Sequence, residues 1–520
     1  MAKISGALRR AAGFSCLAIM VGCVVSTDSP PASSPPAQSS TAGNVARNVI
    51  LFIGDGMGVS TVTAARIFDG QSLGLSGEEH SLIFETFPHV ALVKTYNTNQ
   101  QVPDSAGTAT AMMTGMKTRA GVINIGPDAH RRDCQAALDN PLEPLGAIAK
   151  EQGKSVGIVT TTRLTHATPA AVFAHSPERD WESDRYLPEA DRVAGCRDIA
   201  HQLTHFDVGG GLDVVLGGGR AEFYGGGLDG NRVAGQDDLI QEWLDADSGR
   251  TYITSRDELA QLQVAQLANQ PGNQPENQSG HQPEELQEPQ SAQQVLGLFS
   301  RSHMTYVAER APGTTEPTLA EMTSAAIDLL AEDEGGYFLM VEGGRIDHGH
   351  HDGKPSYALL ETQEFARTVE AALEKVDLEE TLVLVTADHS HVFTIAGYPV
   401  RGNPILGLVV ENDITGEPSS EAAVDATGTP YTTLGYANGP GAAAGQPRPV
   451  PEVAADAVYQ AFVPVVHPRI DGSLDYSETH GGEDVALYGI GVGSDRVGGV
   501  IEQDIVFDIM IRAFGWENAD

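Results

Sequence analysis

Carboxylate and imidazole side chains gather at four places in the chain, each bordering an apolar run typical of a buried strand. They are Asp55, Glu342, Asp347, His348, His350, His351, Asp388, His389 and His480. Because the set contains no cysteine, it suits an open Zn²⁺ site beside a harder ion such as Mg²⁺. Asp347 and His351 are four residues apart, so one helical turn would place both on one face. Any one of these residues alone would be an ordinary hydrogen-bonding group, but four clusters predict a metal site.

A serine among small residues offers a nucleophile. Ser105 lies in Asp104-Ser105-Ala106-Gly107, at the start of a predicted helix, where backbone N–H groups favour an alkoxide and a bound phosphate. A serine in such a place is more often a plain N-cap. No Gly-x-Ser-x-Gly motif surrounds Ser105, which argues against a hydrolase that activates serine through histidine. We therefore expect a metal ion to activate it.

These side chains need a scaffold, and strand and helix patterns alternate along the chain. Buried strands are predicted at residues 48–53, 155–160, 214–216, 337–341, 381–386 and 485–490, and helices at 60–68, 318–331 and 357–376. Strands that are apolar throughout indicate a mostly parallel sheet with helices on both faces, a three-layer α/β/α sandwich. Ligands of such sheets bind at the carboxyl ends of the strands, where the clusters stand.

Two stretches interrupt this alternation. Residues 261–294 are rich in Gln, Pro, Asn and Glu, which predicts a mobile surface insertion. Residues 401–447 are rich in Gly, Pro, Ala and Thr, and we expect a small accessory, crown-like lobe or a long lid there. The catalytic domain is predicted to run from residue 45 to residue 520.

The first 44 residues read as an export segment and a linker. Lys3, Arg9 and Arg10 precede an apolar stretch too short to span a bilayer, the charge order of a secretory signal over residues 1–23. The signal ends at Cys23 in a sequence similar to a lipoprotein processing site, and cleavage near Ser26 with release is the alternative. Residues 24–44 have the composition of a flexible linker. We expect an exported protein, either periplasmic or anchored to the outer membrane through lipidated Cys23.

The chain is strongly acidic. Its 70 acidic and 32 basic side chains give a formal charge of −38, which argues against sequence-independent nucleic-acid binding. A hydrophobic content of 41% still supplies a large core. Seven lysines stand against 25 arginines, and such an acidic, lysine-poor surface suits high salt, although an ordinary acidic secreted protein is the alternative.

Two cysteines remain outside the export segment. Export to an oxidising compartment favours a disulfide between Cys134 and Cys196, and two buried thiols are the alternative. In the chain-entropy account, a closed loop of this length stabilises the fold by about 4 kcal/mol.

Six motifs together resemble those of the alkaline phosphatase family, in family order from about residue 48 to the C-terminus. They are Gly54-Asp55-Gly56-Met57-Gly58, Asp104-Ser105-Ala106, His166-Ala167-Thr168-Pro169-Ala170, the run from Glu342 to His351, Ala387-Asp388-His389-Ser390 and Glu478-Thr479-His480-Gly481-Gly482. Each motif alone is modest, but six in register are highly specific. The resemblance implies hydrolysis of phosphate monoesters at alkaline pH and, as is common in the family, a homodimer.

The resemblance also implies three metal sites, which are two for Zn²⁺ and one for Mg²⁺. The first Zn²⁺ would be held by Asp347, His351 and His480. The second would be held by Asp55, Asp388 and His389, beside Ser105. The Mg²⁺ would be held by Glu342 and Thr168 together with the shared Asp55.

Three further positions take roles from the resemblance. Arg179 falls where the family has its phosphate-clamping arginine, whose planar guanidinium meets two phosphoryl oxygens at once. His166 and His348 stand where enterobacterial enzymes carry Asp and Lys, as in the animal and marine enzymes. We expect both to be hydrogen-bonding neighbours that touch no metal, while noting that imidazole at these positions also tolerates Zn²⁺.

The implied mechanism is in-line attack by Ser105 on phosphorus, a phosphoserine intermediate and its hydrolysis by activated water, with Arg179 holding the equatorial oxygens. A sulfatase or a phosphodiesterase on a related fold is an alternative. However, Ser105 is not followed by x-Pro-x-Arg, as a sulfatase requires, and a diesterase would favour threonine. A lipid-anchored module that captures metal or phosphate without catalysis is a third possibility.

Overall fold

Ten strands form one central sheet, and its middle strands are the continuous apolar runs of the sequence. The computed structural model describes residues 45–225, 230–233, 238–269, 294–440, 467–468, 474–475 and 477–516. The strands are β1 (Asn48–Gly54), β2 (His89–Lys94), β3 (Ser155–Arg163), β4 (Val214–Gly218), β5 (Arg250–Ile253), β6 (Gln294–Leu298), β7 (Tyr337–Glu342), β8 (Thr381–Ala387), β9 (Ser390–His391), β10 (Phe393–Ile395), β11 (Leu434–Tyr436), β12 (His467–Pro468), β13 (Leu474–Asp475), β14 (His480–Gly481), β15 (Val485–Gly491) and β16 (Gly499–Glu502).

The order of the strands places β1 in the middle. The sheet runs β16-β2-β15-β8-β1-β7-β3-β4-β6-β5, and the seven strands from β8 to β5 are parallel. Strand β15 is antiparallel to both β8 and β2. Ile53 pairs with Glu342 of β7 and with Thr386 of β8, so these three strands end at the same edge. Residues that follow them therefore meet there.

Helices flank the sheet. They are α1 (Val59–Ser72), α2 (Ser105–Thr114), α3 (Cys134–Asp139), α4 (Leu145–Glu151), α5 (Ala167–Ala170), α6 (Glu189–Ala194), α7 (Ile199–Thr204), α8 (Leu239–Ala246), α9 (Arg256–Asn269), α10 (Leu319–Leu330), α11 (Arg345–His351), α12 (Pro355–Leu373) and α13 (Ile505–Ala513). One group, α1, α10, α11 and α12, packs together, and another contains α2, α4, α5 and α13. The predicted α/β fold with a mostly parallel sheet is confirmed.

Several predicted segments fall partly or wholly outside the described residues. Residues 1–44, with the predicted signal and linker, lie outside them. Helix α9 covers the start of the predicted insertion up to Asn269, β6 begins at its last residue, and residues 270–293 between them are outside. Of the predicted accessory lobe, the described part extends to Pro440. Backbone bridges there join Pro399 to Glu411 and Leu408 to Thr432, between the paired strands β10 and β11.

The predicted disulfide is present. Cys134, the first residue of α3, is bonded to Cys196, and both sulfurs lie in a small buried cluster with Trp181 and Leu187. No helix within the described ranges is both long and apolar enough to cross a membrane.

Candidate active site

Three carboxylates meet at the shared edge of β1, β7 and β8. Asp55 follows β1, Glu342 is the last residue of β7, and Asp388 follows β8. All three are fully buried. The turn after β1 requires Gly56, which has a φ of +68° and whose N–H donates to Asp388 Oδ1 at 2.9 Å. A side chain on Gly56 would collide with the ring of His391, so the motif keeps glycine here.

The first group of metal donors is built by helix α11 and a short strand pair. Asp347 and His351 lie one turn apart on α11, with His351 Nε2 3.3 Å from Asp347 Oδ1. Strand β14 pairs with β9 and brings His480 back to them, 3.1 Å from His351 between the Nε2 atoms. The Nδ1 atoms of both rings face backbone carbonyls, those of Glu478 and Pro103, so each Nε2 is turned into the site.

The second group surrounds the serine. His389 Nε2 lies 3.4 Å from Asp55 Oδ1, 3.3 Å from Asp388 Oδ2 and 3.1 Å from Ser105 Oγ. Ser105 Oγ is also 3.5 Å from Asp55 Oδ1. The predicted nucleophile therefore lies against the predicted donors of the second Zn²⁺.

The third group shares Asp55 with the second. Ligand atoms of Asp55, Glu342 and His166 lie within 4.8 Å of one another. Glu342 Oε2 accepts hydrogen bonds from Thr160 and Thr162, which fixes its orientation. Thr168 is buried on α5, two residues after His166. We expected His166 to touch no metal, yet its ring is among the possible ligands.

His348 lies apart from these donors. Its Nδ1 is 2.9 Å from Arg345 Nη1, and its ring lies 5.8 Å from that of His166 and 4.3 Å from that of His303. His303 was not singled out in the sequence, because nothing in its neighbourhood resembles a motif.

Arg179 reaches the serine through Asp104. Asp104 caps helix α2 by accepting from the Gly107 N–H, and its Oδ2 accepts from Arg179 Nη1 at 3.1 Å. Arg179 Nη2 lies 3.1 Å from His166 Nε2. The guanidinium of Arg179 is thus held by Asp104, the residue that precedes Ser105. It also contacts His166, a member of the third donor group.

Burial pushes the donor groups towards neutrality. It raises the pKa of Asp55 well above its usual range, aided by Asp388, and raises those of Glu342 to about 7 and Asp388 to about 6. Burial lowers the pKa of His389 to about 3. Asp347 is the exception, because His351 and His391 hold its pKa well below the usual value despite burial. The three carboxyl groups that resist ionisation next to one another, together with a neutral His389, form a site that a cation would complete.

Buried polar atoms without hydrogen-bond partners also indicate a cation site. Within the described residues, Asp55 Oδ2, Glu342 Oε1, Asp388 Oδ2, His166 Nδ1 and Thr168 Oγ1 are buried without a hydrogen-bond partner. Buried polar atoms are seldom left unpaired, and here five of them converge on one region. Oxygen and imidazole donors of this kind fit Zn²⁺ and Mg²⁺.

His391 was given no role by sequence reasoning, yet it contacts the first donor group. His391 Nε2 lies 2.8 Å from Asp347 Oδ1, and its Nδ1 lies 2.5 Å from Glu478 Oε2. Glu478 and Asp347 hold the pKa of His391 at about 10 despite burial, which by itself would lower it. The one available signal was the position of His391, two residues beyond His389. His350, also without a predicted role, bonds to Thr61 and Tyr436.

Comparison with known proteins identifies the family. The alkaline phosphatase family model matches residues 46–270 and 281–515. The tissue-nonspecific alkaline phosphatase of Gallus gallus is 42% identical over 488 residues, covering 90% of this chain and 85% of that protein. The corresponding Homo sapiens isozyme is 41% identical over 489 residues, covering 90% and 84%. The membrane-bound alkaline phosphatase of Bombyx mori is 41% identical over 480 residues, covering 90% and 80%.

Solved structures share the fold. The Thermus thermophilus alkaline phosphatase superposes with a TM-score of 0.62 at 24% identity, covering 94% of this chain and 96% of that chain. The enzyme from the Antarctic bacterium TAB5 gives a TM-score of 0.57 at 21% identity, covering 91% and 100%. The chain belongs to the alkaline phosphatase family and is a metal-binding phosphoric monoester hydrolase.

Proposed function

We propose that Ser105 is the nucleophile and that hydrolysis proceeds through a phosphoserine intermediate. The observation that carries the proposal is the contact of Ser105 Oγ with both Asp55 and His389, at 3.5 and 3.1 Å, inside a cluster of metal donors. A serine that served only to cap a helix would not need its hydroxyl group next to these metal donors. Small phosphate monoesters are the substrates, since one hydroxyl and one guanidinium suffice to engage a terminal phosphoryl group.

The metal complement proposed is two Zn²⁺ and one Mg²⁺. Asp347, His351 and His480 would hold the first Zn²⁺, and Asp55, Asp388 and His389 the second. Asp55, Glu342 and Thr168 would hold Mg²⁺, with the nearby His166 as an additional donor that would favour Zn²⁺. When bound, these ions lower the pKa of hydroxyl groups and neutralise the charge that develops on phosphoryl oxygens.

The side chains divide the remaining work. Ser105 Oγ gives up its proton and attacks phosphorus in line, while the ester P–O bond breaks and the alcohol leaves with a proton. Water then attacks the phosphoserine, the Oγ–P bond breaks, inorganic phosphate is released and Ser105 Oγ is protonated again. Arg179, held by Asp104, donates two N–H groups to the equatorial oxygens and keeps the phosphorus aligned with Ser105. Burial and Arg179 lower the pKa of His166 well below its usual value, so His166 stays neutral beside the guanidinium.

The test is the Ser105→Ala variant of the full chain, loaded with Zn²⁺ and Mg²⁺. We expect kcat for an aryl phosphate to fall by a factor of about 10³ or more, as when a catalytic nucleophile is removed. Acid quenching of the wild type with labelled substrate should trap phosphate on Ser105. Wild-type turnover of a diester or a sulfate ester exceeding that of the monoester, or unchanged turnover by Ser105→Ala, would refute the proposal.

We also propose that the protein is exported, that Cys23 carries a lipid tether to the outer membrane, and that two copies associate. The signal-like N-terminus and its Met20-Val21-Gly22-Cys23 sequence support export and lipidation. Replacement of Cys23 by serine should move the protein from the membrane fraction to the soluble periplasm. The full chain has a mass of 54.8 kDa, and cleavage of the signal leaves a lighter mature chain. Sedimentation of the purified protein should give twice the mass of that mature chain.

A further inference from the structure

The residue before Arg179, the proposed phosphate-binding arginine, is a buried glutamate. Glu178 precedes Arg179 and is fully buried, although it belongs to none of the three donor groups. Both Nε and Nη2 of Arg131 donate to its two oxygens, Nε at 3.0 Å, and Arg132 Nε donates as well. Despite burial, these two arginines hold the pKa of Glu178 below its usual value. Glu178 is therefore an ionised, fixed point one residue from Arg179.

Arg131 connects Glu178 to the backbone that holds Arg179. Gly121 donates its N–H to Asp104 Oδ2 at 2.9 Å, and its carbonyl accepts the N–H of Arg179 at 3.0 Å. The guanidinium of Arg131 covers Gly121 so closely that a Cβ there would collide with it. Arg131 thus lies between Glu178 and the glycine that touches both Arg179 and Asp104. We call these three residues, Glu178, Arg131 and Gly121, the Arg179 support.

The neighbouring chain anchors this support. Cys134 follows Arg132 by two residues, and its disulfide with Cys196 packs against Trp181. The Trp181 carbonyl accepts the N–H of Ile199, and Arg132 donates its own N–H to the Pro177 carbonyl. The segment carrying Arg179 is therefore held on both sides, while Arg179 itself keeps 18% of its side chain exposed.

We infer that Glu178 is a positioning residue, which acts through Arg131 to hold the Arg179 guanidinium in the orientation that binds phosphate. The inference rests on the proposed role of Arg179. A guanidinium meets two phosphoryl oxygens only in one plane, so a small rotation of the Arg179 backbone costs binding. Glu178 and Arg131 do not touch the phosphoryl group; they restrict the motion of the residue that does.

The experiment measures the inhibition constant of inorganic phosphate for Glu178→Gln, a variant of equal shape without the charge. We expect this constant and KM for an aryl phosphate to rise together by about tenfold, with the zinc content of the protein unchanged. Glu178→Asp, which keeps the charge, should recover part of the loss. Glu364→Gln is the control, because Glu364 is a largely buried carboxylate whose two oxygens both accept from Arg310 Nη1, at 2.7 and 2.8 Å. It should leave both constants unchanged.

A double-mutant cycle separates positioning from general stability. In an Arg179→Ala background, Glu178→Gln should cause no further rise in the phosphate constant, since the group it orients is gone. The same fold-change in both backgrounds, or no change in either constant for Glu178→Gln, would overturn the inference. If Glu178→Gln does not fold, Arg131→Gln is measured instead, because it removes the half-exposed partner of the same ion pair and should raise the phosphate constant in the same way. If Arg179→Ala itself leaves phosphate inhibition unaltered, the proposed function fails instead.

Discussion

His391 lies between two buried carboxylates, Asp347 and Glu478, and one of its ring nitrogens faces each of them. Replacing it with alanine removes the hydrogen bond that orients Asp347 and leaves Glu478 buried without its partner. Groups that orient metal ligands in this way typically contribute 10- to 100-fold to metal affinity. We expect His391→Ala to weaken zinc binding at the first site by about that factor, measured by competition with a chromophoric chelator. The exposed His205→Ala should not, and equal affinities in the two variants would contradict the prediction.

Glu342 gives the proposed Mg²⁺ site a pH dependence of known sign. Burial raises its pKa to about 7, so in the metal-free protein the carboxyl group is protonated below that pH. The proton must leave before a cation binds, so apparent Mg²⁺ affinity should fall about tenfold for each pH unit below 7 and level off above it. Titration of the metal-free protein with Mg²⁺ between pH 5.5 and 8.5 checks this. Glu342→Gln should bind Mg²⁺ weakly at every pH, and a slope retained by this variant would assign the proton elsewhere.

For single residues, the sequence predicts the candidate metal donors better than it predicts the residues that hydrogen-bond to them and hold them in place. Asp55, Glu342 and Asp388 stand out because each follows an apolar run, and parallel strands bring such positions together. His391 does not stand out, because its partners Asp347 and Glu478 are 44 and 87 residues away in sequence. Glu178 does not stand out either, because the two arginines that bind it lie 46 and 47 residues earlier in the sequence.

Helix α11 is an element whose position sets the first donor group, and it packs closely against α12. A Cβ on Gly349 would lie 2.7 Å from the backbone nitrogen of Ala358, which cannot give way without moving one of the helices. We expect Gly349→Ala to displace Asp347 and His351, lowering both bound zinc and the melting temperature. Gly498→Ala, where an added Cβ meets nothing, is the control. Elemental analysis together with calorimetry checks the prediction, and retention of full zinc content by Gly349→Ala would contradict it.

Strands in the middle of the sheet are the elements that the sequence locates closely. The predicted runs at 48–53, 337–341 and 381–386 match β1, β7 and β8 to within one residue at each end. Strands β2, β5, β6 and β16 were not predicted; β16 and β5 are the outer strands of the sheet, and β2 and β6 lie next to them. Val90 and Leu92 of β2 face solvent there, so the residues do not form an uninterrupted buried run. The antiparallel direction of β15 likewise depends on pairing between distant segments, which no local pattern encodes.

The charge of the whole molecule carries its own prediction. A formal charge of −38 produces self-repulsion that opposes the folded state, and added salt screens it. We propose that the protein is adapted to high salt and expect its melting temperature to rise by a few degrees between 0.1 and 2 M NaCl, with metals held in excess. Scanning calorimetry at both concentrations tests this, and a melting temperature that is flat or falls with salt would contradict it.

The place of β1 in the sheet also governs how the polypeptide matures. Its first residue, Asn48, accepts a hydrogen bond from the Tyr337 N–H across 289 positions of sequence and contacts Thr381 across 333. On a ribosome adding 5–20 residues per second, this hydrophobic strand waits roughly 15–60 s for β7, the first of its two neighbours to be made, and an unpaired strand is prone to aggregation in that interval. His480 emerges later still. In the proposed assignment a chain that stops before His480 lacks a donor of the first Zn²⁺, so prematurely terminated products should release no phosphate.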